Sequence, residues 1–543
     1  MRNCWLTVAF VVSTLPMAAQ APAVSTVVNA ASNLLPGLPN AGIAQGALMI
    51  LYGTGLGPSA LASVSAYPLP ISLAGTSIRI SIAGRNVDAI LYYTSATQVA
   101  AIVPSSTPVG VGTVTVTYSG RTSAPAPISV VTNNAGLYTV NSQGTGTAVV
   151  TFPDYSYVSP SNAANPGEIV ILWANGLGPV TTDDAQLPVS SDMTNVQLEI
   201  LIGGKPASIL FRGRNSCCAS LDQINVRIPD GVAGCVAPIV MKIGMLVSNT
   251  ATIPIAASGR KCTPIDPSTK ENDFQILVSK NPATIGQVAL LRSNVAQFGA
   301  GNVIVQSTGD AGSAFFYKFT SLFPYAVAPV VDLPPAGSCA LTVSSSSASG
   351  PPTTVNIDAG TAITVSGTNG VRMFTKNGGA GPSAYGGVLG TGVPGNYLDA
   401  GQYTISGPGG PDVGSFSQTI TFPRPLVWTN QINITSVDRA NGLMVSWTGG
   451  DANGLVQIAG QATAPVSSTS SVSARFDCVA RVSDGSFTIP PAVLLALPPT
   501  TTTLGTLTVG NTYNRVPFSA SGIDHGFIYF GTNNLNLGIV AYK

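Results

Sequence analysis

Charged side chains are scarce in this chain of 543 residues, at 8% of its composition, against about 25% in an ordinary globular protein. The 23 basic and 22 acidic residues leave a net charge of +1 and form no basic run. Nucleic-acid binding depends on Lys and Arg clustered against phosphates. Nucleic acid is therefore not an expected partner, and the solvent-facing surface has to consist mainly of Ser, Thr, Asn and Gly.

Catalytic side chains are also few. His525, in Ile523-Asp-His-Gly-Phe527, is the one histidine, which excludes a multi-histidine zinc site. It is the only imidazole base for a nucleophilic serine or cysteine, and no Gly-x-Ser-x-Gly turn accompanies it. Asp183-Asp184 is the one adjacent carboxylate pair, and a solvated turn explains it more simply than a glycosidase pair. The sequence therefore predicts a protein that is not an enzyme.

Ligand-loop motifs are incomplete as well. Asp451-Ala-Asn-Gly454 begins like a calcium loop but lacks the later ligands and the closing Glu, so an Asx turn is the simpler interpretation. Gly53-Thr-Gly-Leu-Gly57 has the wrong spacing for a dinucleotide loop and no helix after it. We expect no cofactor and no metal.

No run of 18 uninterrupted apolar residues occurs after the start of the chain, so no membrane span is expected in the mature protein. At the start, Arg2 precedes a mostly apolar stretch, Trp5–Leu15, and small residues follow it. This pattern is typical of a signal peptide cleaved between residues 19 and 24, with an uncleaved anchor as the alternative. Because Cys4 precedes the apolar stretch, it cannot be a lipobox cysteine. The sequence predicts secretion or display at the cell surface.

Removal of the signal peptide leaves six cysteines, an even number that favours disulfides in an exported chain. They are Cys217, Cys218, Cys235, Cys262, Cys339 and Cys478. Six cysteines allow fifteen pairings. Proximity in sequence favours a bond from one of the adjacent pair to Cys235, and it leaves Cys339 and Cys478 to pair across the C-terminal half. A zinc site is the alternative, but there is no Cys-x-x-Cys spacing and no nearby histidine.

The main positive feature is an internal repeat. Residues 50–58 read Ile-Leu-Tyr-Gly-Thr-Gly-Leu-Gly-Pro, and residues 171–179 read Ile-Leu-Trp-Ala-Asn-Gly-Leu-Gly-Pro. Alternating apolar strands follow each copy, and Gln98–Pro104 matches Gln223–Pro229 in the same order. Strict period-2 alternation indicates half-buried strands. Six or seven short strands in about 100 residues indicate a Greek-key sandwich of immunoglobulin type.

These motifs resemble a known family. Asn29-Ala-Ala-Ser-Asn33, the two Gly-Leu-Gly-Pro turns, Leu221–Pro229 and Ser248-Asn249 are similar to Solibacter-type extracellular β-sandwich domains of secreted acidobacterial proteins. Those domains are in turn similar to IPT/TIG immunoglobulin-like modules. The resemblance covers about residues 24–257. It implies export and an immunoglobulin-like fold, and it brings no catalytic residues.

The predicted fold class is therefore all-β: tandem immunoglobulin-like sandwiches followed by further β-rich domains. The expected divisions are a signal peptide (1–23), sandwich 1 (24–131), sandwich 2 with an N-terminal hairpin bridge (132–257), a polar linker (258–272), and two β-rich domains (273–422 and 423–543). The last two could also form one domain, because the C-terminal half shows no clean copy of the repeat.

Function is less constrained. Loops carry function on such scaffolds, and Tyr92-Tyr93 and Asp154-Tyr-Ser-Tyr157 place aromatic side chains near turns. Tyr92, Tyr93, Tyr155 and Tyr157 could stack on sugars or on a partner protein, although such tyrosines more often cover sheet edges. Our leading hypothesis is a secreted, non-enzymatic protein of cell-surface structure or adhesion, with an unknown protein or a polysaccharide as partner. The alternatives are a carbohydrate-binding accessory module and, less favoured, a hydrolase in the C-terminal half.

Overall fold

The computed structural model describes residues 21–321, 325–345, 353–376, 384–391, 396–466, 470–501 and 504–543. The expected signal peptide lies almost entirely outside these residues. The fold is all-β, as predicted. Among the described residues, the helices are short: α1 (Glu271–Leu277), α2 (Ala328–Val331) and α3 (Pro491–Leu494). Single 3-10 turns cover Ala300–Asn302, Gln431–Asn433 and Val482–Asp484.

The first repeat forms a two-sheet sandwich from twelve strands. They are β1 (Ala23–Asn29), β2 (Ile43–Ala44), β3 (Leu48–Thr54), β4 (Ala62–Ser63), β5 (Ser72–Leu73), β6 (Thr76–Ile82), β7 (Arg85–Asp88), β8 (Ile90–Thr94), β9 (Gln98–Ile102), β10 (Gly110–Tyr118), β11 (Arg121–Thr122) and β12 (Ala126–Val131). One sheet has the order β1-β3-β9-β8-β4, and the other has β2-β12-β10-β6-β5. The β2–β12 pair is parallel. This strand order is the immunoglobulin topology.

The second repeat builds a sandwich with the corresponding strand order. Its strands are β13 (Gly136–Leu137), β14 (Val150–Thr151), β15 (Ile169–Asn175), β16 (Ser191–Asp192), β17 (Leu198–Ile202), β18 (Lys205–Pro206), β19 (Ser208–Arg214), β20 (Asp222–Arg227), β21 (Gly234–Ile243), β22 (Leu246–Val247) and β23 (Ala251–Ile255). One sheet has the order β13-β15-β20-β19-β16, and the other has β18-β17-β21-β22. In β17, Leu198, Ile200 and Ile202 are buried while Glu199 is exposed, so the expected alternation holds.

A polar joint connects the two sandwiches. The Asn175 side chain donates to the Leu48 carbonyl at 2.7 Å and accepts from its N–H at 2.9 Å. Arg214 forms an ion pair with Asp222 and donates to the Gly46 carbonyl at 3.1 Å. The side chains of this pair are 4% and 0% exposed. Because each buried polar group has a partner, the joint avoids the cost of unpaired polar burial and fixes one geometry.

The repeated glycine turn serves packing. A Cβ added at Gly176, whose φ is +105°, would lie 2.3 Å from the carbonyl oxygen of Asn134. At Gly57 a Cβ would lie 2.1 Å from the Thr94 hydroxyl. Only glycine allows so close an approach. Close packing therefore explains why glycine occurs in this turn in both copies.

The C-terminal half contains the remaining strands: β24 (Ala283–Phe298), β25 (Ile304–Thr320), β26 (Ser338–Ser345), β27 (Thr353–Asn356), β28 (Ala362–Gly367), β29 (Gly370–Lys376), β30 (Ala384–Thr391), β31 (Gly401–Gly407), β32 (Phe416–Phe422), β33 (Leu426–Trp428), β34 (Ser436–Val437), β35 (Leu443–Gly449), β36 (Leu455–Pro465), β37 (Ser471–Arg481), β38 (Ser486–Ile489), β39 (Gly505–Gly510), β40 (Asn514–Phe518), β41 (His525–Leu537) and β42 (Ala541–Tyr542). Fourteen of them form one sheet.

This sheet crosses the boundary expected after residue 422. Strand β24 pairs in parallel with β41 over twelve residues, from Ile285 opposite His525 to Ala296 opposite Asn536. Strand β26 pairs with β37 in the same sheet. Hydrogen bonding is therefore continuous between 273–422 and 423–543, which share one sheet. Two buried hydrophobic clusters pack against it.

The disulfide expected between the adjacent cysteines and Cys235 is wrong. Cys217 bonds to Cys218, and Cys235 bonds to Cys262 with a Cα–Cα distance of 5.2 Å. The reason is β20: its six residues run between the adjacent pair and Cys235 and place them about 20 Å apart, at opposite ends of the sandwich. Cys339 and Cys478 are bonded and lie directly opposite each other on β26 and β37.

The segment expected to be a polar linker, 258–272, is exposed over its first residues and partly buried farther on. Cys262, Asp266, Ser268 and Thr269 are buried. Asp266 forms an ion pair with Arg515, and α1 begins at the end of the segment. The disulfide to Cys235 and the ion pair are the physical reason, because each ties the segment to a neighbouring sheet. Among the described residues, no helix is long and apolar enough to cross a membrane.

Candidate functional site

A tight hairpin displays two of the expected tyrosines. Its turn contains Pro153 and Asp154, and one Asp154 carboxylate oxygen accepts from the N–H and the hydroxyl of Ser156 at 2.9 and 2.7 Å. The Ser156 hydroxyl is the main reason that the pKa of Asp154 is lowered. Tyr155 adopts a φ of +66° at the tip. The turn therefore holds Tyr155 and Tyr157 outward, at 60% and 67% exposure.

Trp173 lies beside Tyr155. The two rings are near-parallel, with an interplanar angle of 25° and centroids 6.3 Å apart. The indole N–H donates to the Thr151 hydroxyl at 3.1 Å, which fixes the ring orientation. In β15 the even-numbered Leu172 and Ala174 face the core, so Trp173 lies on the outer face of the sheet by the period of the strand, where it is half-buried.

A row of amide side chains continues from Trp173 across the sheet. Gln223 lies directly opposite Trp173, and Asn225 lies opposite Ile171. Gln223 donates to the Asn225 side-chain oxygen at 2.9 Å. Tyr157 lies opposite Thr151 on the same face. We call Tyr155, Tyr157, Trp173, Gln223 and Asn225 the aromatic face.

The chemistry of the aromatic face is neutral. It combines flat apolar rings with side-chain amides that both donate and accept hydrogen bonds. Flat rings can stack on an apolar surface of a ligand, and side-chain amides can hydrogen-bond to its hydroxyl groups. A sugar ring has both, because its C–H groups project from its faces and its hydroxyls from its rim. The aromatic face is therefore suited to stacking and hydrogen bonding of neutral saccharides.

Tyr92 and Tyr93 are placed differently from the expectation. They belong to strand β8 and are half-buried, and they pack with Val28, Ile50 and Ala100. Burial is the main cause that raises the pKa of each phenol to about 12. The structure thus corrects their assignment as loop aromatics: a bulge in β8 turns both side chains onto the sheet surface, where they cover apolar residues.

Trp173 was not among the residues predicted from sequence. The available signal was its position in the repeat. Trp173 corresponds to Tyr52 of the first copy, and both occupy the outward-facing third position of the nine-residue motif. Its partners Tyr155 and Gln223 come from other parts of the chain, and sequence alone does not reveal their proximity.

The histidine and the carboxylate pair have structural partners. His525 is buried, and its Nε2 lies 3.2 Å from the Thr269 hydroxyl; burial is the main cause that lowers its pKa. Asp184 accepts from the N–H and the hydroxyl of Ser105 in the first sandwich at 2.6 and 2.9 Å. Asp183 accepts from the N–H of Ala185 at 2.9 Å. The contacts of His525 and Asp184 join segments that are distant in sequence, and that of Asp183 lies within its own turn.

A groove of about 1100 Å³ runs along β1 toward β26 and β37, and none of its lining residues carries a formal charge. Within the described ranges, no group of three or more His, Cys, Asp or Glu side chains could hold a metal ion.

No protein-family model matches the chain, and no curated protein matches it. Solved structures with some similarity include a surface glycan-binding protein SGBP-B of a Bacteroides ovatus mixed-linkage glucan utilization locus, in complex with a heptasaccharide. It is 10% identical with a TM-score of 0.14, over 87% of this chain and 97% of that one.

Two further structures are similar at the same level. SGBP-B from a Bacteroides uniformis xyloglucan utilization locus is 10% identical with a TM-score of 0.17, over 68% of this chain and 86% of that one. Domains 5–6 of the S-layer protein SbsC are 13% identical with a TM-score of 0.16, over 44% of this chain and all of that one. Similarity this low carries no argument about function.

Proposed function

We propose that this chain is an exported, non-enzymatic β-sandwich protein that binds polysaccharide at the cell surface through the aromatic face. The observation that carries the proposal is the near-parallel ring pair of exposed Tyr155 and half-buried Trp173, bordered by the linked amides of Gln223 and Asn225. A contiguous apolar patch at the surface of a folded protein often marks an interaction site. Here a turn and an indole hydrogen bond hold the two rings in place.

Export is supported by the cysteines. The three disulfides use all six cysteines of the mature chain, and such bonds persist in oxidising compartments. The N-terminal Arg2 and apolar stretch agree with this assignment. An exported location is also where an insoluble or cell-bound polysaccharide is available to the aromatic face.

The joint between the sandwiches supports an adhesive role. Asn175 and Arg214 tie the second sandwich to the first through buried hydrogen bonds, so the aromatic face is carried on a stiff pair of domains. A stiff pair keeps the bound polymer at a fixed orientation to the rest of the chain. The second candidate ligand is a partner protein that docks on the same rings. The binding test distinguishes the two candidates, because it shows whether a polysaccharide binds.

The test is a glycan-array and polysaccharide pull-down screen on residues 24–543. Trp173→Ala and Tyr155→Ala remove the two rings, and Tyr118→Ala is the matched control because Tyr118 is a half-buried tyrosine on the opposite sheet of sandwich 1. We expect each aromatic-face variant to lose about tenfold or more in affinity, since truncating a central aromatic anchor typically costs more than about 1.4 kcal/mol.

The control variant should bind like the wild-type chain. Binding that survives both substitutions would place the sugar site elsewhere and refute the assignment. Absence of binding to every glycan would refute the polysaccharide proposal and favour the protein partner.

A further inference from the structure

The bond between the adjacent cysteines lies next to the aromatic face. Cys217 and Cys218 belong to the loop 215–221, which joins β19 to β20. Cys217 is exposed and Cys218 is half-buried, whereas the cysteines of the other two disulfides are all buried. The bond closes a small ring that includes the peptide between the two residues. It is therefore the disulfide that a reductant in solution reaches first.

A chain of hydrogen bonds connects this ring to the amide row. The Cys217 N–H donates to the Asn215 side-chain oxygen at 2.7 Å. The Asn215 amide nitrogen donates to the Gln223 side-chain oxygen at 2.6 Å, and Gln223 donates to Asn225 at 2.9 Å. Asn215 thus uses both ends of its amide. It sets which end of Gln223 accepts and which donates, directly opposite Trp173.

The remainder of the loop is anchored independently of the ring. The Ala219 N–H donates to the Tyr67 hydroxyl at 2.8 Å, and the Ser220 hydroxyl donates to the Gly46 carbonyl at 2.7 Å. The Asn215 N–H donates to the Leu221 carbonyl at 2.9 Å. Both ends of the loop are held, so opening the ring changes only the backbone conformation of residues 216–218. That change redirects the Cys217 N–H that holds Asn215, while the loop stays attached to the sandwiches.

We propose that the Cys217–Cys218 disulfide is a redox-controlled positioning element for the aromatic face: the bonded form holds Asn215, and through it Gln223, in the arrangement that binds saccharide. This inference rests on the proposed function. A dithiol reductant opens the ring. Its two thiols give up two electrons and two protons and become a disulfide, and the S–S bond of Cys217 and Cys218 becomes two thiols.

The test uses residues 24–543 treated with a low concentration of dithiothreitol. Trapping of free thiols followed by peptide mapping confirms that only Cys217 and Cys218 are reduced. Binding is measured on a polysaccharide whose binding depends on Trp173. We expect reduction to weaken affinity about three- to tenfold, and reoxidation to restore it. Restoration is the readout that separates control by the ring from general loss of structure.

Two variants sharpen the result. Asn215→Ala in the oxidised protein should bind as weakly as the reduced wild type and should no longer respond to dithiothreitol. Cys217→Ser combined with Cys218→Ser should bind in the same weak, insensitive manner. Unchanged affinity after verified reduction, or a redox response that persists in Asn215→Ala, would overturn the proposal.

A second readout does not need a sugar. Hydrogen exchange measured by mass spectrometry should accelerate at least tenfold at residues 216–218 on reduction, with β15 unchanged. Faster exchange without binding to any polysaccharide would refute the proposed function while the coupling of ring and loop stands. Unchanged exchange at 216–218 would overturn the coupling itself.

Discussion

The three disulfides close very different lengths of chain. Their contributions to the free energy of unfolding should therefore differ, in an order that can be calculated. Their sequence separations are 1, 27 and 139 residues for Cys217–Cys218, Cys235–Cys262 and Cys339–Cys478. In the chain-entropy model, a crosslink lowers the entropy of the unfolded chain by 2.1 + 1.5R ln n cal/mol/K. At 25 °C, removing these bonds should cost about 0.6, about 3.6 and about 5.0 kcal/mol of unfolding free energy, respectively.

The two longer bridges are a matched pair. Cys235 and Cys262 are 3% and 0% exposed, and Cys339 and Cys478 are 6% and 0% exposed. Replacing each pair by alanine therefore leaves similar cavities, whose cost largely cancels in the comparison. The remaining difference of about 1.5 kcal/mol comes from the ratio of loop lengths.

The assay is guanidinium unfolding of residues 24–543 as the wild type and as three double variants, each with one cysteine pair changed to alanine. A chain with several domains unfolds in more than one step, so the transition that each double substitution shifts is compared with the same transition of the wild type. Titration of free thiols verifies that the other two bonds remain intact.

Two results would refute this reasoning. Equal losses for the bridges of 27 and 139 residues would show that chain entropy does not set their contributions. A loss above about 2 kcal/mol for Cys217→Ala with Cys218→Ala would be too large for adjacent residues, and would point to a bond from this pair to Cys235 or Cys262.

Two further outcomes concern buried charges. Asp222→Asn should lower the free energy of unfolding in urea by about 3–5 kcal/mol, because it leaves the buried Arg214 charge unpaired. The control Asp88→Asn, which breaks an exposed pair with Arg79, should lower it by less than about 1 kcal/mol. Similar losses for the two variants would contradict the role of burial. Burial raises the pKa of Asp332 to about 7. A raised carboxyl pKa gives stability that is fully present below about pH 4 and is lost as the pH rises through 7. The free energy of unfolding should therefore be measured at pH 5 and pH 8 for Asp332→Asn and the wild type. Relative to the wild type, the variant should be more stable at pH 8 than at pH 5, by at most about 1.4 kcal/mol per pH unit. Parallel pH profiles of the two proteins would contradict the raised pKa.

Sheet formation could be predicted because its signal is local. The alternation of Ile78, Ile80 and Ile82 with polar residues is visible in the sequence, and these three side chains are buried in β6. The order of motifs in the two copies likewise predicted two similar units. Each of these inferences needs only neighbours within one strand or one turn.

The disulfide pairing could not be predicted in the same way. Separation along the chain does not measure distance across a sandwich, because a strand carries its two ends about 3.3 Å farther apart with every residue. Cys235 is closer in sequence to Cys218 than to Cys262, yet β20 leads away from Cys218. The packing of residues 258–272 depends on the same long-range geometry, since Asp266 finds its partner at Arg515.

The same limit explains why four tyrosines with similar sequence surroundings have two different roles. On the first sandwich, the outward sheet face carries Tyr92 and Tyr93 over buried Val28 and Ala100. Half-buried Tyr138 of the bridge lies near both phenols; burial is the main cause that raises the pKa of Tyr138, and the two neighbouring phenols raise it further. On the second sandwich, the corresponding face carries half-buried Trp173, with exposed Tyr155 of the hairpin beside it. Which tyrosines cover a sheet and which are exposed therefore depends on how the bridge and the hairpin lie against the strands, and a motif within one strand does not contain that placement.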